Sequence, residues 1–137
     1  MPRIVTFVVS AMLLAVFSSG LYAEPFLSEY SILHEKPKFK EVTGEQIFDS
    51  VCKGCHMSDA AGAKGAGYYP ALAHDQKLYA AAYPIYIVVE GMGNMPAFKD
   101  YLSDEQIQSV VNYIRTNFGN DAKGDVGVEA VKAISKR

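Results

Sequence analysis

Cys52-Lys53-Gly54-Cys55-His56 is the stretch on which the reading of this 137-residue chain turns. Two thiols three positions apart can each add to one of the two vinyl groups of a single protoporphyrin. The next residue then presents an imidazole nitrogen to the iron. The pentapeptide reads as a covalent attachment site for c-type haem, with Cys52 and Cys55 as the thioether residues and His56 as the proximal ligand. Other readings explain less of it. A thioredoxin-like thiol pair belongs in a βαβ unit, and no such pattern flanks the motif. A structural zinc site needs four ligands, but the chain holds 2 cysteines, and His34 and His74 form no second ligand pair. A disulfide between the two cysteines would leave His56 without a role.

Length and composition allow one compact domain: 20% of the residues are charged and 50% are hydrophobic, as in ordinary globular proteins. Ahead of it, Arg3 precedes an uncharged run from Ile4 to Phe17, shorter than the roughly 20 residues that a span requires. Residues 1–23 are expected to be a signal peptide cut after Ala23, with Gly20 as the second choice, and the mature chain is expected in the periplasm. Removing them takes away one positive charge and makes the net charge of −2 one unit more negative. Bulk attraction to nucleic acid or anionic lipid is therefore not expected, nor is lasting membrane insertion after cleavage. Residues 24–42, with Pro25, Pro37 and mixed charges, read as an extended arm. Phe26, Leu27, Tyr30, Ile32 and Leu33 are expected to lie partly on the domain.

The first helix begins after Thr43, whose hydroxyl caps it while Gln46 reaches back, and Val42 with Ile47 completes a hydrophobic staple. Ser103 and Gln106 repeat the device, with Leu102 and Ile107 as the staple. Ile107, Val110, Val111, Ile114 and Phe118 then keep a helical period up to Gly119. Between the two helices, residues 60–67 are rich in small side chains and read as loop. Lys77 to Ala82 suits a helix. A further short helix is expected to start with Pro84 in its first position and to stop at Gly91, although Ile85-Tyr86-Ile87-Val88-Val89 favours a strand by propensity alone. The tail, 120–137, carries Val128, Val131 and Ile134 on one or two amphipathic turns.

Gly91-Met92-Gly93-Asn94-Met95-Pro96-Ala97-Phe98 supplies a thioether for the far side of the iron, from Met95 or from its neighbour Met92. His74 and the absence of a sixth protein ligand are the remaining options. Met57 reads as core filling. The Cys-x-x-Cys-His motif and the Met-Pro loop closed by an aromatic resemble class I cytochromes c, over about residues 43–119. That resemblance implies an all-α fold in which the N- and C-terminal helices cross around one covalently bound haem. It implies Met95 as the second axial ligand and Pro70, in Tyr68-Tyr69-Pro70-Ala71-Leu72, as the carbonyl that accepts a hydrogen bond from the proximal imidazole. It also implies that Gly44 lets the two helices approach, with Phe48 meeting Val110 and Tyr113. The tail resembles the ends of cytochrome subunits of bacterial periplasmic dehydrogenases.

The expectation is a monohaem electron carrier, not an enzyme, exchanging single electrons with a dehydrogenase or respiratory oxidase as a monomer or as a subunit of a complex. A haem protein with an open distal site, acting as a ligand sensor or peroxidase-like enzyme, is the alternative. Lys53, Lys64 and Lys99 flank the loops expected around the haem and suggest a local positive rim for docking.

Overall fold

A computed structural model describes residues 38–137. The expected signal peptide and the arm as far as residue 37 lie outside the described residues. The chain enters extended, with Phe39 already packed on the core, and Thr43 then opens a helical run. Gln46 N–H donates to Thr43 Oγ1 at 3.2 Å and Thr43 N–H donates to Gln46 Oε1 at 3.3 Å, so the expected capping box is made. Val42 stays 73% exposed and makes no staple with the buried Ile47. The run, α1, consists of an α-turn at Gly44–Ile47, a π-segment at Phe48–Cys52 and a second α-turn at Lys53–His56. A π-segment widens the helix locally and re-aims the side chains beyond it. Here it lies immediately before the Cys55-His56 turn.

The small-residue loop holds a hairpin that the sequence did not announce: β1 (Ala63–Lys64) pairs antiparallel with β2 (Tyr68–Tyr69), Ala63 opposite Tyr69. Two residues per strand are too few to produce a readable alternation. The helix-compatible stretch after it is a 3₁₀ turn, Gln76–Tyr79, started by Asp75, whose side chain accepts from Lys77 N–H at 3.0 Å. Then α2 (Ala82–Glu90) is helical, as context required over propensity. Pro84 occupies its third position, not its first, which is tolerated because the first-turn N–H groups have no intrahelical partner anyway.

Ser103 and Gln106 form the second capping box and start α3 (Asp104–Thr116). This helix ends three residues before Gly119. The Thr116 hydroxyl donates to Asn112 O and the Asn117 amide to Tyr113 O, both at 2.9 Å, and such side-chain bonds compete with continued helix. Phe118 thus leaves the helical period, yet its ring still packs on Phe48, with centroids 4.7 Å apart. The tail forms α4 (Val128–Ser135), which packs on α2 and α3 through a fully buried Val131.

The α1–α3 crossing sets the geometry of everything else. A Cβ on Gly44 would lie 2.6 Å from Tyr113 Cβ and closer still to the Ser109 carbonyl, so no other residue permits this approach. Phe48, 1% exposed, meets the Tyr113 ring at 5.8 Å and belongs to the same buried core as Val110. Burying such a side chain contributes about 1.5–3 kcal/mol. Burial, then the charges of Glu45 and Asp49, hold the Tyr113 phenol above its usual range, so it is a neutral packing group. Among the described residues no helix is long and apolar enough to cross a membrane.

Candidate haem site

The crossing leaves the end of α1 facing a cavity of about 470 Å³. Cys52, Cys55 and His56 come from α1, and Tyr68, Tyr69, Pro70 and Leu72 from the hairpin and its exit. Pro84, Ile87 and Val88 come from α2, Met92, Met95, Pro96 and Phe98 from the loop after it, and Val110 and Ile114 from α3. The five site residues expected from the sequence therefore share one cavity. Its lining is mainly apolar, and its volume lies within the roughly 300–1,000 Å³ of cofactor sites.

His56 is buried, and its Nδ1 lies 2.9 Å from Pro70 O. A carbonyl can only accept, so Nδ1 carries the proton and donates, which leaves the Nε2 lone pair free for a metal. The Pro70 loop is seated by Gly62, whose N–H donates to His56 O at 3.1 Å. Gly62 has φ +67°, and a Cβ there would lie 2.6 Å from both Pro70 C and Ala71 N. Nothing in a run of alanines and glycines marks this one glycine as indispensable.

On the other loop, Met92 and Met95 exchange backbone hydrogen bonds at 3.1 and 3.0 Å, and Phe98 N–H donates to Val88 O at 2.9 Å. Both thioethers line the cavity. Met95 packs against the core, whereas Met92 is 56% exposed. His74 lies off the cavity walls, its imidazole against Gly119. Met57 is half-buried where α1 ends, at φ 69°, and is not part of the apolar core.

Both cysteines are free, and burial together with the neighbouring Cys55 pushes the Cys52 thiol up to about 12. A thiolate metal site would need the opposite, while a thioether is neutral and suits this wall. Two thiols on one wall, a free imidazole nitrogen and an apolar cavity fit covalent haem. The expected lysine rim is weaker than its charges suggest. Lys53 pairs with Asp49 at 3.3 Å and Lys99 with Glu90 at 2.7 Å, while the Lys64 ammonium sits 5.5 Å from the centre of the Tyr68 ring.

Known proteins match this chain in the same region. Residues 40–114, more than half of the chain, match the family described as cytochrome C oxidase, cbb3-type, subunit III. The fructose dehydrogenase cytochrome subunit of Gluconobacter japonicus is 34% identical over 112 residues, which cover 69% of this chain and 22% of that protein. The gluconate 2-dehydrogenase cytochrome c subunit of Pantoea cypripedii is 32% identical over 109 residues, 69% of this chain and 24% of the relative. Cytochrome c6 of Leptolyngbya boryana is 40% identical over 73 residues, 52% of this chain and 85% of that protein. The chain thus spans less than a quarter of the two dehydrogenase subunits and most of the small cytochrome. It belongs to the family matched over residues 40–114 and is a class I c-type cytochrome, an electron-transfer protein whose cofactor is one covalently bound haem c.

Proposed function

We propose that the chain carries single electrons in the periplasm, with His56 Nε2 and the Met95 sulfur as axial ligands and Cys52 and Cys55 as the attachment points. The observation that supports this most is the His56–Pro70 hydrogen bond inside the cavity that Met95 also lines. The bond fixes the tautomer and the ring plane, and raises the basicity of the ligating nitrogen. Haem iron, when bound, supplies a one-electron couple, and thioether ligation raises its potential. With His56 and Met95 both holding the group, little would have to rearrange during transfer. No substrate bond is made or broken, so the chain is not an enzyme by this reading.

Residues 1–23 then serve as the export signal, 24–42 as the arm, 43–119 as the haem domain and 120–137 as its tail. Donor and acceptor are redox proteins, a dehydrogenase or a respiratory oxidase, engaged either by the free chain or within a complex. The names of the dehydrogenase relatives support this. Tyr68, Tyr83 and Met92, exposed at the cavity mouth, suit a small and short-lived contact.

Visible spectra of the reduced protein with and without carbon monoxide test the axial assignment. The proposal expects identical spectra, because Met95 holds the sixth position. Prompt formation of a carbon monoxide complex would move the protein to the open-site class of sensors and peroxidase-like enzymes.

A further inference from the structure

Behind the cavity wall lie two buried polar side chains that do not themselves line the cavity: Arg115, 3% exposed, and Asn120, 5% exposed. Both reach back to residues 72–78, of which Leu72, Asp75, Lys77 and Leu78 are part of that wall. The Asn120 amide donates to Leu72 O and to Ile114 O, each at 2.8 Å, and its Oδ1 accepts from Asp75 N–H at 2.9 Å. Arg115 Nε donates to Leu78 O at 3.0 Å. A buried amide that satisfies both donors and its acceptor across two distant segments holds those segments in one register.

We propose that Asn120 is a positioning residue for the proximal imidazole, acting through the short stretch that begins at Pro70. The proposal rests on the reading of His56 as the proximal ligand. One residue, Ala71, separates the Pro70 carbonyl from Leu72, whose own carbonyl Asn120 holds. Leu72 N–H and Ala73 N–H are tied on the other side to Ala60 O, at 2.8 and 3.0 Å. The chain just beyond Pro70, at Leu72 and Ala73, is thus gripped from two directions. The carbonyl that meets His56 Nδ1–H has little freedom to turn away. Residue orientation of this kind, one step removed from the ligand, governs both the ring plane and the donor strength of a metal-bound histidine. A simpler role for Asn120 is to cap the end of α3 through Ile114 O, which would affect stability alone.

Solvent exchange of the His56 Nδ1 proton, followed by proton NMR of the reduced holoprotein, separates the two roles. Asn120→Ala is compared with Val131→Ala, which thins the packing of α4 on α2 and α3 and removes no hydrogen bond to residues 60–78. At matched global stability, the ring proton of N120A should exchange about tenfold faster than that of V131A, the factor expected when the one hydrogen bond that shields it, to Pro70 O, is lost. The amide protons of Leu72 and Ala73 should lose protection with it. Equal ring-proton exchange in the two variants overturns the proposal and leaves Asn120 a helix cap. Should N120A not mature, Asn120→Ser, too short to reach Leu72 O, is read by the same criteria. Failure of the underlying ligand reading shows separately, as a His56 ring proton without a hyperfine shift in the oxidised wild type.

Discussion

The Pro70 loop and the Pro96 loop both line the haem cavity, and each is seated on a glycine with positive φ whose missing side chain the loop backbone fills. For Gly62 the neighbours are Pro70 C and Ala71 N, both at 2.6 Å from a would-be Cβ. For Gly91, at φ +75°, they are Pro96 C at 2.9 Å and Ala97 N at 2.8 Å. The loops differ in what else holds them. Residues 70–78 are bound by Ala60 O on one side and by Asn120, from beyond α3, on the other. Residues 92–98 are held by the Met92–Met95 pair and by Phe98 N–H on Val88 O, all near in sequence. Local hydrogen bonds open at lower free energy than contacts that require the whole fold to give way. The histidine side of the site is therefore built to stay, and the methionine side is the one that yields first.

Alanine at each glycine is the strongest way to break this comparison. Both substitutions combine left-handed strain with a backbone clash, worth about 1–3 kcal/mol apiece. Gly62→Ala should sit at the upper end, because the anchors at Ala60 and Asn120 prevent the loop from retreating. Gly91→Ala should cost less stability but weaken the sulfur-to-iron absorption of the oxidised protein, as its loop shifts outward. Chemical denaturation of both holoproteins, with spectra taken before unfolding, checks the order. Equal losses in stability, or an unchanged sulfur band in G91A, would remove the distinction between the loops.

Gln106 sharpens the comparison at smaller scale, since it uses on the entering chain the device that Asn120 uses on the Pro70 loop. Its amide donates to Phe39 O at 2.9 Å and Glu41 O at 2.7 Å, while its Oε1 accepts from Ser103 N–H at 2.8 Å. Gln106→Glu keeps the cap and loses both donors. It should lower stability by about 1–2 kcal/mol, speed amide exchange at Phe39, and leave the visible spectrum untouched. A spectral change in this variant would mean that the arm reaches the site.

Much of this site could be read from residue order, because the chemistry is concentrated in short motifs. Cys52, Cys55 and His56 are adjacent in sequence, and the cavity needs no distant residue to bring them together. The capping residues Thr43 with Gln46 and Ser103 with Gln106 were readable for the same reason: each acts within one turn. Gly44 was readable only through the family resemblance, for nothing local says that Tyr113 will press on it. Gly62 and Asn120 were not readable. Their roles depend on carbonyls 6 to 48 residues away, which no periodicity or composition reveals. The π-segment at Phe48–Cys52 was likewise hidden, since an α-helical period and a widened one predict nearly the same pattern over five residues. The pairing of the rim lysines was hidden for a related reason. Asp49 and Glu90 neutralise Lys53 and Lys99, and only the fold brings Glu90 to Lys99.

The axial assignment is tested most directly by proton–carbon NMR of the reduced protein carrying ¹³C-methyl methionine, with Met92→Ala and Met95→Ala used to assign the signals. A methyl group bound through sulfur to the iron lies over the porphyrin face and is shifted far upfield of the others. One such resonance is expected, present in wild type and M92A and lost in M95A. An upfield methyl that disappears in M92A, or none in the wild type, would contradict the assignment.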